Sequence, residues 1–117
     1  MSAAATTLAG AVGLFFAGLG TAKIRAVPAM RERAAHVGLS TKAYQGIGVL
    51  EVAGATGVLL GLAEPRIGGL AGAGLLALLG GALVSHVRAG DKLKEAAPAL
   101  VSAVAVAGYL ATLGAVR

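Results

Sequence analysis

The sequence predicts an all-α membrane protein, an up-down bundle of four spanning helices. Three observations carry this. Hydrophobic residues make up 57% of 117 residues, charged residues only 13%, and mean hydropathy is +0.85. A soluble domain of this length needs roughly a quarter charged residues to cover its surface. Four apolar stretches also meet the length of about 20 residues that a spanning helix requires. Dyad alternation is absent, and an open sheet leaves its backbone unsatisfied in hydrocarbon, so the stretches are helices.

The first span covers residues 3–22. No Lys or Arg precedes its apolar run, which is also longer than a signal h-region, so it is expected to be retained. Residues 23–43 form too long a connection for a simple turn. Pro28 suits a first helical position and Gly38 a helix end, which predicts a short interfacial helix over residues 28–37; a solvated basic linker is the alternative. Ser40 or Thr41 then caps the second span, residues 44–63. Glu64-Pro65-Arg66 makes a tight turn into the third span, residues 67–87. Asp91 is expected to cap a turn leading into the fourth, residues 98–116, with Pro98 near its start. The whole chain is one domain.

Charge placement orients the bundle. Lys23, Arg25, Arg31, Arg33 and Lys42 lie between spans one and two, and Arg88, Lys92 and Lys94 between spans three and four; only Arg66 and Arg117 fall on the other side. The positive-inside rule then puts the first and third connections in the cytoplasm and both termini outside the cytoplasmic membrane. With its basic residues bordering lipid, the net charge of +5 argues for no nucleic-acid partner. The absence of cysteine removes disulfides, thiol redox chemistry and thiolate ligation.

Nineteen glycines let helices approach closely in lipid. Gly57-x-x-x-Gly61 and Gly68-x-x-x-Gly72 match the small-x-x-x-small pattern and are read as packing within the bundle, with an oligomer face as the alternative. Phe15, Phe16, Tyr44 and Tyr109 are the only aromatics, so a cavity walled by stacked rings is not expected.

Glu51 is the residue that points to function. A carboxylate inside a membrane costs a few kcal/mol or more, so such acids face the bundle interior and find a partner. It lies about 10 Å into span two from Tyr44, at 1.5 Å per residue. Topology brings Lys23, at the end of span one, and Ser85, His86 and Arg88, at the end of span three, to the same end. Lys23, Glu51, His86 and Arg88 are therefore the candidate ligand-binding residues, with Tyr109 deeper in span four as a ligand contact or a core residue. Glu51 and His86 are the candidate acid and base, because an imidazole titrates near neutrality. The small residues sharing the Glu51 face, Gly48, Gly54 and Ala55, either admit a neighbouring helix or leave space for a ligand. A Lys23–Glu51 or His86–Glu51 pair that only fixes helix register is equally compatible with the sequence. One Glu, two His and one interior Lys show no metal-ligand spacing, so no metal is expected.

Three segments, Ala17-Gly18-Leu19-Gly20-Thr21-Ala22-Lys23, Gly46-Ile47-Gly48-Val49-Leu50-Glu51-Val52-Ala53-Gly54-Ala55 and Ser85-His86-Val87-Arg88-Ala89-Gly90-Asp91, together resemble the DoxX-like family of small bacterial membrane proteins. The resemblance covers nearly the whole chain. It implies a four-helix integral membrane protein with Lys23, Glu51 and His86 as its polar positions. It also implies a membrane accessory or subunit, linked through the family name to quinone-dependent redox chemistry and an oxidoreductase partner; no quinone motif stands in the chain. Competing expectations are a stand-alone enzyme using Glu51 and His86 on a lipophilic substrate (isomerisation, epoxide opening or cyclisation), a proton-coupled small exporter, and a membrane chaperone. Homo-oligomerisation is compatible with each.

Overall fold

A computed structural model describes residues 2–115, and it is helical throughout. Expectations that touch Val116 and Arg117 lie outside the described residues. Four long helices, α1 (Ala3–Ile24), α3 (Thr41–Leu60), α4 (Pro65–Arg88) and α5 (Leu93–Ala115), are joined in up-down order, and a short α2 (Pro28–His36) sits in the first connection. All four long helices are apolar and long enough to cross a membrane. Around the bundle the order is α1, α3, α4, α5, with α1 and α3 in the most extensive contact and α5 meeting α1 along the sparsest seam.

Local chemistry sets the helix ends. Ser2 and Ser40 accept from the backbone N–H groups of Ala5 and Ala43 at 3.1 and 3.0 Å, satisfying donors that a helix start leaves open. Glu64 caps α4 through the Arg66 N–H at 3.2 Å, and Pro65 occupies the first turn, where its missing N–H is not needed. At the end of α1, the Gln45 amide donates to the Ile24 carbonyl at 2.9 Å. Gly38, at φ 77°, ends α2 in a conformation that a side chain would strain.

The fourth long helix departs from the sequence expectation. It begins at Leu93, so Pro98 lies inside it. Hydropathy marks where a helix enters hydrocarbon, but outside that boundary the polar Lys94 and Glu95 continue the same helix at no desolvation cost. Asp91 does not act as the expected cap either; its carboxylate accepts from two imidazoles.

The core is made of Val12 and Phe16 from α1, Ala55 and Val58 from α3, Leu75 and Leu79 from α4, and Val106, Tyr109 and Leu113 from α5. The paired glycines close these seams. A Cβ on Gly57 would strike Ala71, one on Gly61 would strike Gly68 and the Tyr109 hydroxyl, and one on Gly72 would strike Leu110. Both small-x-x-x-small motifs therefore pack within the bundle.

Candidate functional site

Glu51 and Lys23 meet at the α1–α3 seam. Lys23 Nζ donates to Glu51 Oε1 at 2.6 Å, and the two side chains are only 10% and 5% exposed. Glycine makes this reach possible. Gly20 and Gly48 face one another so closely that a Cβ on either would lie within 2.7 Å of the other's carbonyl oxygen. A Cβ on Gly48 would also meet Lys23 Cβ at 2.7 Å, so the lysine stem lies flat across α3 and delivers its ammonium one turn further on. Gly54 likewise receives Leu75, and Ala55 is buried. The small residues on the Glu51 face thus admit neighbouring helices.

The pair is close to buried yet not saturated. No second residue donates to the Glu51 carboxylate, and Lys23, which has three N–H groups, makes no other hydrogen bond among the described residues. The ammonium lies 4.9 Å from the Tyr44 ring centroid, a cation–π contact that sequence reasoning had left out of the site. Tyr44 stands seven residues before Glu51, two helical turns, which was the signal available for it.

His86 goes elsewhere. Its Nδ1 contacts Asp91 Oδ2 at 2.6 Å, while His36 Nε2, at the end of α2, contacts Asp91 Oδ1 at 2.7 Å. No hydrogen bond or ion pair joins His86 to Glu51 among the described residues. One carboxylate, with its side chain 7% exposed, thus clasps α2 to the α4–α5 end of the bundle. The hydrogen bond from His86, then that from His36, holds the Asp91 carboxyl below the usual carboxylate range. Neither His36 nor Asp91 was among the expected site residues. Two histidines and one acid near the same end of the bundle, His36 and Asp91 on connections and His86 at the end of span three, were the available signal.

Arg88 is exposed and makes no hydrogen bond or ion pair among the described residues. Tyr109 is fully buried, and its hydroxyl donates to the Val58 carbonyl at 3.0 Å near the end of α3, beside the Gly61 N–H that donates to the same oxygen at 3.2 Å. It is a core residue that ties α5 to α3. Among the described residues no group of three or more His, Asp or Glu is placed to hold a metal.

Two apolar recesses open laterally. One, about 630 Å³, lies between α3 and α4 and is floored by Gly54, Gly57 and Ala71. The other, about 620 Å³, lies between α1 and α5.

A model of the DoxX-like family matches residues 7–108, most of the chain, and the protein belongs to that family. It is a multi-pass membrane protein. No curated protein and no solved structure matches it.

Proposed function

We propose that this member of the DoxX-like family is a small accessory subunit that seats the polar head of a lipophilic molecule against Lys23 and Glu51, beside a membrane oxidoreductase. The observation that carries the reading is the unspent hydrogen-bonding capacity of a nearly buried ion pair. An ammonium with N–H groups to give and a carboxylate with one oxygen unengaged can together receive a carbonyl or hydroxyl oxygen, as a quinone or an isoprenoid alcohol presents. Buried ion pairs are poor stabilisers compared with apolar side chains of similar volume, so the presence of one inside an apolar bundle favours a use beyond packing. The redox association comes from the family resemblance.

The orientation that goes with this proposal places the basic end, with Lys23, α2 and the α4–α5 connection, in the cytoplasm. The enzyme reading, with Glu51 and His86 acting on one substrate, draws less support, because Asp91 engages His86.

The test is purification of the full chain in lipid nanodiscs, followed by mass spectrometry of extracted lipophiles and of co-purified proteins. A carbonyl- or hydroxyl-bearing lipophile retained by the wild type and lost from Glu51→Gln supports the proposal. Recovery of the protein with neither lipophile nor partner removes it.

A further inference from the structure

The recess between α1 and α5 has a chemical polarity that the α3–α4 recess lacks. Its α5 wall is a single stripe, Lys94, Ala97, Pro98, Val101, Ser102 and Ala105, at the three- and four-residue spacing of one helix face. Its α1 wall includes Phe15, which is 47% exposed, and the buried Phe16. All of these except Lys94 and Ser102 are apolar. The Ser102 hydroxyl is already spent on the Pro98 carbonyl at 2.7 Å. One uncommitted cation, Lys94, therefore stands at one end of an apolar channel, exposed and without an ion-pair partner among the described residues.

Two further features fit a lipid. From Lys94 to Ala105 the stripe runs eleven residues, about 16 Å at 1.5 Å per residue. Half of a hydrocarbon core of about 30 Å is about 15 Å, so the α5 wall of the recess is as long as one leaflet is deep. Lys92 adds positive charge close by, Glu95 is exposed one residue further round α5, and the Asp91 carboxylate is occupied by His36 and His86.

We infer that the α1–α5 recess binds one acyl chain of an anionic phospholipid, with its phosphate on Lys94 and its chain laid against Phe15, Val101 and Ala105. This site lies at the α1–α5 seam, whereas the Lys23–Glu51 pair lies at the α1–α3 seam, and it does not depend on that pair's role.

The experiment titrates the full chain in detergent with phosphatidylglycerol or with phosphatidylcholine of the same acyl chains, and counts retained lipids by native mass spectrometry. Phosphatidylglycerol should be retained in preference. Lys94→Ala should weaken that retention about fivefold, the loss of one basic residue's attraction near the head-group plane, and Lys94→Arg should restore it. Ala105→Trp, which fills the channel, should reduce retention of both lipids. A photoactivatable diazirine on the acyl chain of phosphatidylglycerol should label residues 11–16 and 98–105. Equal retention of the two lipids, indifference to Lys94→Ala, labelling spread around the bundle or gathered at α3–α4, or crosslinks from this recess to a second copy would each overturn the inference. Glu51→Gln should leave phosphatidylglycerol retention unchanged, so failure of the lipophile proposal and failure of this one are read separately.

Discussion

Helix α1 meets α3 on one side and α5 on the other, and the two seams differ in what stands at the crossing. Toward α3 it presents Gly13, Gly20 and Lys23: Leu59 fills the space at Gly13, and the Gly20 and Gly48 backbones come into contact. Toward α5 it presents Phe15 and Phe16 to a stripe of small and β-branched residues, and a recess of about 620 Å³ remains. The difference teaches where polar groups can live in this bundle. A buried ion pair persists where backbones touch, because close approach excludes lipid and lets a lysine reach its carboxylate. Where the helices stand apart, the wall is apolar and its one cation sits at the rim.

The comparison can be broken most severely at the ion pair. Lys23→Ala leaves the Glu51 carboxylate buried without a donor and should cost about 3–5 kcal/mol in reversible unfolding from mixed micelles, whereas Lys23→Met combined with Glu51→Leu should cost far less, since no charge is left stranded. Next comes the glycine contact beneath it. Gly48→Ala drives a methyl into the Gly20 carbonyl and the Lys23 stem, neither of which can swing away, and should cost about 1–3 kcal/mol or more. Tyr109→Phe, on α5, should cost about 1 kcal/mol: the Val58 carbonyl loses one donor but keeps the Gly61 N–H at 3.2 Å. Gly18→Ala, on the same α1 but with nothing within 4 Å of a new Cβ, should change stability by no more than about 0.5 kcal/mol in the same assay.

The clasp at the basic end sharpens the comparison through pH. Because the native Asp91 carboxyl titrates below its unfolded value, its contribution is complete above the unfolded pKa of about 3.9 and is lost as pH falls through the lower native value. A melting-temperature difference between wild type and Asp91→Ala should therefore close as pH falls below about 4. Hydrogen exchange in Asp91→Ala should rise along α2, whose His36 loses its partner, and leave the α1–α3 seam unchanged.

Much of this was legible along the chain. Glu51 announced itself as an acid in an apolar run, and Lys23 followed from the direction of span one. The clasp was less legible, since His36 and Asp91 are 55 residues apart and nothing local marks them as partners. His86 shows the same limit from the other side. Topology brought it to the correct end of the bundle, but Glu51 and Asp91 are both acids at that end, and spacing does not choose between them.

The sequence by itself determined how many helices span, in which order they run and which polar residues share an end. Hydropathy, capping residues and helix length are properties of a segment and its immediate neighbours. The tertiary structure alone decided that Gly48 receives α1 rather than a ligand, that Asp91 takes His86 from Glu51, and that α5 stands off from α1 far enough to leave a recess. Each of these depends on how far apart two helix axes lie and how each helix is turned about its own axis. Those quantities come from the sum of contacts across whole seams, which no single stretch of sequence contains.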